Sequence, residues 1–383
     1  MNLAPLVDVA DIFMGQSPPG STYNSDGKGL PFFQGKTDFG DIYPTVRMYC
    51  TEPKRIAEVN DILISVRAPV GPTNLAPIKS AIGRGLAAIR CKENTDVKYL
   101  LYFLRYNEPR LAQLGKGSTF EAIGRDELED MRVPLPPLPE QQRIAAILDR
   151  ADRLRRTRRY AAQLSETFLQ AVFVRMFGDA RTNPMGWDVE TLEDLETKFD
   201  YGTSAKCTSE QRGLPVLRIP NILHSDIDLN DLKYAELPDK EARKLLLAKG
   251  ELIFVRTNGN PDYVGRCAVF NLDAKYLFAS YLIRAKLDTS KLVPLFVQAH
   301  LTSRAGRKAM SPFIRTTAGQ SNIGTEGLGQ IPVPLPPLAL QEKFARIVQQ
   351  FERLRAQQRE AERQAEHLFQ TLLHRAFSGE RVR

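Results

Sequence analysis

Cysteine is scarce in this sequence, which contains only Cys50, Cys91, Cys207 and Cys267 and no Cys-x-x-Cys pair. Such spacing excludes a disulfide scaffold and a zinc ribbon, and it is typical of proteins from a reducing compartment. No run of eighteen apolar residues occurs, and the first residues lack the basic and apolar segments of a signal peptide. We therefore expect a cytoplasmic protein without a membrane partner.

Sequence motifs of common catalytic sites are also missing. The segment Gly35-Lys-Thr37 has Leu30 where the first glycine of a P-loop belongs. No Gly-x-Gly-x-x-Gly follows a predicted strand, and the Asn-Pro-Pro-aromatic tetrapeptide of amino-methyltransferases does not occur. The close pair His367 and His374 has heptad spacing on a charged helix, which favours surface or helix-contact positions over metal ligands. We predict a protein with no catalytic residues, no metal and no cofactor of its own.

One short motif keeps an enzymatic alternative open. Pro261-Asp262 followed by Asp273 and Lys275 has the spacing of a metal-dependent nuclease, with two acids for the metal ion and a lysine beside them. The segment Asn258-Gly-Asn-Pro-Asp262 is equally typical of a turn. The first half of the chain has no equivalent motif, and loss of DNA cleavage in Asp262→Ala would identify such a nuclease.

The composition is that of a globular protein with a basic surface. Hydrophobic residues make up 43% of 383 residues, enough for cores in two or three domains. The formal net charge is +8. A basic excess of this size favours a polyanionic partner, although it does not distinguish nucleic acid from ordinary solubility.

The chain is a tandem repeat with a period of 200 residues. Val133-Pro-Leu-Pro-Pro-Leu138 recurs as Val333-Pro-Leu-Pro-Pro-Leu338, and the match continues without a gap along the following segment. Upstream, Ile123-Gly124 aligns with Ile323-Gly324. Two copies in register over this length exclude a chance proline turn, and a repeat of this kind predicts two copies of one structural unit.

Each repeat has a globular part and a helical part. The globular parts, residues 1–132 and 183–332, are called head 1 and head 2 below. They contain short β-type runs at 61–67, 252–256 and 281–285, and helical patterns at 97–106 and 292–303. The segments 133–182 and 333–383 each begin with the proline-rich hinge and continue as a long helix, about 140–177 and 340–377. We predict an α+β fold.

Both helices carry a heptad pattern in the same phase. Arg158 and Gln358 interrupt the apolar positions near the middle of each helix, where a polar residue can fix register and partner. An ordinary amphipathic helix packed on its own head is the alternative to this coiled coil. The apolar positions predicted to form the coiled-coil contact are Ile144, Ile147, Leu154, Phe168, Phe344, Ile347, Phe351, Leu354 and Leu368.

The length of the helices predicts how they are arranged. A helix of 38 residues extends roughly 57 Å, so the first helix carries the chain far from head 1 before head 2 begins. The second helix must then return in order to pair with the first. We expect an antiparallel coiled coil with one head at each end, and hence an internal pseudo-two-fold.

Two similar heads at a fixed separation suit a long, regular ligand, and double-stranded DNA is the regular polyanion that fits. Arginine can recognise guanine, and asparagine or glutamine can recognise adenine, through paired hydrogen bonds. The heads differ in sequence, which predicts an asymmetric target. The polar loop residues predicted to contact DNA are Gln34, Lys36, Thr37, Arg67, Arg84, Lys116, Ser118 and Thr119 in head 1, and Arg218, Asn221, Arg256, Thr257, Asn258, Arg315, Thr316, Thr317, Gln320 and Asn322 in head 2.

The sequence resembles the specificity subunits of type I restriction–modification systems. The resemblance rests on the doubled Pro-Leu-Pro-Pro-Leu motif, the following Glu140-Gln-Gln-Arg-Ile-Ala-Ala-Ile-Leu-Asp149, the Gly117-Ser-Thr119 segment and Gly213-Leu-Pro-Val-Leu-Arg-Ile-Pro-Asn221. It covers the whole chain, in the order target-recognition domain, spacer helix, target-recognition domain, spacer helix. One departure is Ala339-Leu340 in the second hinge, where the first has Pro139-Glu140.

The resemblance implies a non-catalytic function within a larger complex. In that family, each target-recognition domain reads one half of a split DNA sequence, and the helices set the gap and dock two modification (methyltransferase) subunits. S-adenosylmethionine belongs to those subunits, which methylate adenine, while ATP and Mg belong to separate restriction subunits that translocate and cleave DNA. A stand-alone bipartite DNA-binding regulator is the alternative among binding proteins.

Overall fold

A computed structural model of the protein describes residues 3–115, 122–223 and 225–378. The chain forms two compact units. Unit 1 comprises Met1–Ala162 and Gln358–Arg383, and unit 2 comprises Gln163–Gln357. Each unit therefore contains one head together with segments of both long helices.

The strands of the heads are short. Strands β1 to β11 of head 1 are Leu3–Pro5, Ala10–Met14, Tyr23–Asn24, Leu30–Phe33, Tyr49–Cys50, Ile56–Ala57, Ile62–Ser65, Thr73–Leu75, Ser80–Ile82, Leu86–Cys91 and Arg132–Pro134. Strands β12 to β25 of head 2 are Val189–Thr191, Lys198–Tyr201, Leu214–Leu217, Ile222–Leu223, Asp226–Ile227, Lys233–Ala235, Leu252–Val255, Thr257–Asn258, Cys267–Val269, Leu277–Phe278, Leu282–Lys286, Arg315–Thr317, Gln320–Asn322 and Pro332–Pro334.

The helices range from four residues to forty. Helices α1 to α11 are Leu6–Val9, Val97–Tyr106, Glu108–Leu114, Arg125–Glu129, Leu138–Glu166, Phe168–Phe177, Asp239–Leu245, Pro294–Thr302, Arg304–Met310, Thr325–Gly329 and Leu338–Phe377. The described part of the chain contains no helix with both the length and the apolar character needed to span a bilayer. The prediction of a mixed α+β fold in two tandem copies is confirmed.

The two heads share a central antiparallel sheet. Its strand order is β2-β10-β7-β8 in head 1 and β13-β22-β18-β20 in head 2. The inner strands β7 and β18 are buried along their whole length, and all their residues except Ser65 are apolar, as expected for strands covered on both faces. Head 2 also contains a small sheet of order β19-β24-β23. The repeat seen in the sequence therefore extends to the topology of the heads.

The C-terminal end of α11 completes the core of head 1 within unit 1. Asp96 caps the N-terminus of α2, and its carboxylate accepts the Tyr99 N–H at 2.8 Å. The ring of Tyr99 lies 5.3 Å from that of Phe377, and the ring of Tyr102 lies 6.1 Å from that of Phe369. Head 1 thus depends on residues nearly three hundred positions away for its apolar packing.

Unit 2 repeats this packing with the end of the first helical segment. The Phe296 ring on α8 lies 4.8 Å from Phe177, and Phe177 lies 5.5 Å from Phe344 on α11. Farther along, Phe168 stacks on Phe351 at 4.8 Å. Residue numbers rise along α6 while they fall along α11, so the two helix segments of unit 2 are antiparallel.

A buried glutamine fastens each hinge to its head. The Gln141 side chain accepts the Asp96 N–H at 2.9 Å and donates to two backbone carbonyls, those of Asn94 and Pro136. Gln341 does the same in unit 2 with the Val293 N–H and the Lys291 and Pro336 carbonyls. Both glutamines are 1% exposed, so all three bonds are shielded from water and hold the start of the long helix against the head.

The long helices differ from the predicted heptad in two respects. The first is divided at Thr167, which stays in the helical region of backbone space, into α5 and α6. Four predicted contact residues are more than 40% exposed, namely Leu154, Phe168, Leu354 and Leu368. Ile144 and Phe344 are buried, and Ile147, Ile347 and Phe351 are partly buried. The buried stripe is displaced toward Leu148 and Phe369 because each helix segment packs on a head as well as on another helix.

A buried ionic cluster stabilises unit 1. Asp152 is fully buried, and its carboxylate lies 2.7 Å from Arg155, 3.2 Å from Arg156 and 3.4 Å from Arg105. Burial lowers the pKa of Arg105, against the opposing effect of the Asp152 charge. Arg155 also pairs with Glu366 of α11 at 3.2 Å. One buried carboxylate therefore contacts three guanidinium groups that have little access to water, and Glu366 supplies a second negative charge through Arg155.

Buried His300 predicts a pH dependence of the stability of unit 2. Its Nε2 lies 3.0 Å from the Pro332 carbonyl, and burial lowers the pKa of His300 below its ordinary value of 6.5. The unfolded chain therefore binds a proton more readily than the folded one, so stability is full above pH 6.5 and falls as the pH drops below it. Denaturant titrations between pH 7.5 and 5.5 should show this loss for the wild type. His300→Gln should have a flatter profile; an equally steep profile would contradict the assignment.

Candidate nucleic-acid interface

Three segments of head 1 meet at one edge of that head. The Gly83 N–H donates to the Phe33 carbonyl at 2.8 Å, and the Val66 N–H donates to the Gly85 carbonyl at 3.0 Å. A Cβ atom on Gly85 would lie 2.4 Å from the Gln34 carbonyl oxygen, so the close approach requires glycine there. The ends of β4, β7 and β9 are thus joined through their backbones.

This edge collects the predicted contact residues of head 1 that the structure describes. Gln34, Arg67 and Arg84 are exposed beside it, and Lys36 and Thr37 are exposed on the 3-10 helix that follows Gln34. The Arg67 backbone pairs with Ala122. The other predicted residues, Lys116, Ser118 and Thr119, lie outside the described residues.

Head 2 has the same backbone connections at equivalent positions. The Ala279 N–H donates to the Leu217 carbonyl at 2.9 Å, and the Arg256 N–H donates to the Tyr281 carbonyl at 2.9 Å. The Ile323 N–H then bonds the Arg256 carbonyl at 3.0 Å, as the Ile123 N–H bonds that of Val66 in head 1 at 2.9 Å. Arg218 therefore occupies the position of Gln34, and the two heads carry different side chains on one backbone framework.

A polar three-stranded sheet extends from this edge in head 2. β19 pairs with β24, and β24 pairs with β23. The predicted residues Thr257 and Asn258 form β19, Arg315, Thr316 and Thr317 form β23, and Gln320 and Asn322 belong to β24. The structure therefore brings seven of the ten predicted residues of head 2 into one small sheet.

Two predicted residues of head 2 are engaged in local structure. Asn221 is buried, its carbonyl oxygen accepts the Arg218 N–H, and its amide donates to the Asp228 and Asn230 carbonyls. The structure thus contradicts a base-contacting role for Asn221, because its hydrogen-bonding groups already have partners inside the loop. Arg218 pairs with the Asp231 carboxylate at 2.9 Å, and its hydrogen bond, followed by the charge of Lys233, lowers the pKa of Asp231. Arg218 remains partly exposed beside the edge.

Two tyrosines that were not predicted lie at the same edge. Arg256 donates to the Ser280 carbonyl at 3.3 Å and lies over the Tyr201 ring at 4.9 Å. Hydrogen bonding from Thr325, helped by the charge of Arg256, lowers the pKa of Tyr201. The neighbouring Tyr281 side chain is 59% exposed. No sequence pattern predicts that these tyrosines lie near Arg256, because the residues are far apart along the chain and meet only through the central sheet.

The acids of the nuclease motif lie apart. Asp262 is on the 3-10 helix Pro261–Tyr263 before β20, whereas Asp273 follows β20 and pairs with Lys249. The Asp262 backbone carbonyl accepts from Arg266 and Arg307, so this segment is a braced turn. Within the described residues, no group of three or more His, Cys, Asp or Glu side chains is placed to hold a metal ion.

Comparison with known proteins places these features in a family. The family described as the type I restriction modification DNA specificity domain matches residues 2–163 and, again, residues 184–365. The chain belongs to this family. The resemblance seen in the sequence is therefore confirmed, and each repeat contains one copy of the specificity domain.

Individual relatives agree with the family assignment. The type I restriction enzyme EcoKI specificity subunit of Escherichia coli strain K12 is 26% identical over 372 residues, which cover 90% of this chain and 80% of that protein. A Methanocaldococcus jannaschii protein bearing the name of the type I restriction enzyme MjaX specificity subunit is 51% identical over 144 residues. That match spans 37% of this chain and about a third (34%) of the archaeal protein.

A solved structure shares the fold of this specificity-domain chain. The crystal structure of the type I restriction-modification system S subunit from M. genitalium matches it with a TM-score of 0.64. The match covers 98% of this chain and 96% of that one at 16% sequence identity. At this identity, the likeness establishes the fold alone and assigns no residue of the interface.

Proposed function

We propose that this chain is the DNA-recognition subunit of a type I restriction–modification complex. It reads an asymmetric, bipartite target on double-stranded DNA, with one half-site for each head. It performs no catalysis. The observation that carries this proposal is the framework shared by the heads, which presents Gln34 at the position where head 2 presents Arg218. Two heads that share a backbone framework but carry different polar side chains can recognise two half-sites that differ in base sequence.

The spacer helices offer surfaces for the modification subunits. In unit 1, the exposed large apolar side chains of these helices are Leu154, Tyr160 and Leu368; in unit 2, they are Leu164, Phe168, Val174 and Leu354. Large apolar side chains exposed along helices are typical of surfaces that bind other proteins. We propose that two methyltransferase subunits dock on these helices, and that the helices pair as an antiparallel coiled coil that sets the gap between half-sites.

The proposal divides the chemistry among subunits. S-adenosylmethionine is bound by the methyltransferase subunits, which methylate adenine in the target. ATP and Mg are bound by separate restriction subunits, which translocate and cleave DNA. This chain recognises the DNA sequence and holds the other subunits in position on the DNA. Its own residues bind no cofactor.

Exchange of one head tests the proposal. Replacing residues 187–330 with the matching region of a relative should change one half of the methylated sequence and leave the other half and the gap unchanged, because each head reads its half independently. Methylated adenines mapped across a host genome, with and without the gene, give both halves directly.

The reciprocal exchange of residues 1–132 is the matched control and should change the other half. If either exchange altered both halves, the assignment of one half-site to each head would be wrong. If the genome map did not depend on the gene, the chain would not direct methylation, and a stand-alone DNA-binding regulator would become the better account.

A further inference from the structure

The strands β23 and β24 form a projecting hairpin with a two-residue turn. Thr317 pairs with Gln320, and Ala318 and Gly319 between them have φ angles of 48° and 77°. Positive φ at both central residues is the signature of a type I′ turn, whose twist matches that of the flanking strands. A Cβ atom added at Gly319 meets no other atom within 4 Å, so the side-chain position at this turn faces open space.

The two faces of this hairpin differ. On one face, the Thr316 and Ser321 hydroxyls are 2.8 Å apart, and Ser321 is fully buried. Because side chains alternate along strands and paired residues share a face, the other face carries a separate polar set. It consists of Thr257, Arg315, Thr317, Gln320 and Asn322. On the first face, Ser321 is buried in the head, whereas Arg315, Thr317 and Gln320 on the second face are exposed to solvent.

The outer face is almost entirely donors and acceptors. Within the described residues, no hydrogen bond or ion pair holds the Arg315 guanidinium or the Thr317 hydroxyl, and both residues are exposed. The Gln320 carbonyl oxygen accepts from Thr257 at 3.3 Å, which orients the amide and leaves its N–H groups available. Exposed polar side chains on a small hydrogen-bonded sheet contribute little to a core and are well suited to recognising another polar surface.

We propose that the β23–β24 hairpin enters the major groove of DNA and that Arg315, Gln320 and Asn322 determine the bases read by head 2. This inference rests on the proposed function and specifies its site. The major groove admits a two-stranded β-ribbon, and its base edges pair with these three side-chain types. Arginine favours guanine, whereas glutamine and asparagine favour adenine, so the half-site of head 2 should contain both purines on the contacted strand.

The helix before the hairpin supplies charge for the DNA backbone. Arg304 and Lys308 on α9 are exposed, whereas Arg307 on the same helix donates to the Val264 carbonyl at 2.7 Å. Arg307 is thus a structural residue, whereas the exposed charges of Arg304, which also acts on Asp179, and Lys308 can attract phosphates from solvent. Phosphate contacts position a protein without reading sequence, so Arg304→Ala and Lys308→Ala should weaken binding to all sequences alike.

Selection from a duplex library tests the reading residues. The full-length chain, assembled with its modification subunits, is incubated with duplexes that keep the half-site of head 1 and randomise that of head 2. Arg315→Ala should reduce discrimination at one base pair roughly 5- to 150-fold. The control Arg212→Ala removes an arginine that is 76% exposed at the opposite end of β14 and should leave the preference unchanged.

The turn offers a second pair of variants. Ala318→Gly suits the positive φ and should keep the wild-type preference, whereas Ala318→Pro requires φ near −65° and should abolish preference in this half-site. A denaturant midpoint equal to that of the wild type for each full-length variant shows that head 2 remains folded. Suppose that the wild type selects a split target but that base discrimination is unchanged in Arg315→Ala, Gln320→Ala and Asn322→Ala. The hairpin proposal would then be wrong, and the proposed function would stand. A wild type that selects no split target would instead contradict the proposed function.

Discussion

Replacing Phe369 with alanine should destabilise unit 1 by about 3–5 kcal/mol, the usual cost of removing a buried aromatic ring. Phe369 is 2% exposed, packs edge-on against Tyr102 and lies 4.0 Å beneath the Arg155 guanidinium. Removal would therefore leave a cavity between head 1 and the returning helix. Hydrogen exchange along α2, together with the midpoint of denaturant unfolding, would report the loss.

The adjacent Leu368 is the matched control for this prediction. The heptad pattern predicts Leu368 as the contact residue, yet its side chain is 44% exposed. Leu368→Ala should cost less than about 1 kcal/mol, because substitutions of exposed residues seldom cost more. Similar losses of unfolding free energy in Phe369→Ala and Leu368→Ala would mean that α11 buries a different face from the one described.

Asp152→Asn should also destabilise unit 1 by about 3–5 kcal/mol, the range seen when one partner of a buried ion pair is removed. The substitution preserves shape but removes the charge that three guanidinium groups share. Arg105, Arg155 and Arg156 would then remain close together with little water to screen them. Denaturant titration of the purified full-length variant measures the effect.

The repeat supplies a control at the equivalent position of the second helix. Glu352 pairs with Arg355 at 3.5 Å, and its side chain is 42% exposed. Because exposed pairs contribute little, Glu352→Gln should change the unfolding free energy by less than about 1 kcal/mol. If the two substitutions had equal effects, the burial of Asp152 would not be the source of its contribution.

Several features of this protein follow from local patterns in the sequence. The predicted helix at 97–106 is observed as Val97–Tyr106, and the apolar runs at 61–67 and 252–256 are observed as β7 and β18. The family assignment also follows from the sequence, because the doubled hinge motif and its 200-residue spacing can be recognised without knowledge of the fold. These features depend on residues close together in the chain, where periodicity and turn chemistry are sufficient.

Such local patterns predict only some of the residues of the candidate interface. The sequence indicates polar residues in glycine-rich loops, but it does not separate Asn221, which bonds its own loop, from Arg315, which is exposed. Nor does it place Tyr281 beside Arg256, a contact made by pairing across the central sheet. The hydrogen bonds that decide each side chain's availability join residues from different segments.

The repeat, the head-and-helix order and the family follow from the amino-acid sequence alone. The buried face of each long helix, and the completion of the core of head 1 by residues 369–377, depend on tertiary packing. The physical reason is that a heptad pattern assumes one contacting surface, whereas these helix segments pack against a head and another helix at once. Burial of that kind depends on contacts between distant parts of the chain, which no local periodicity records.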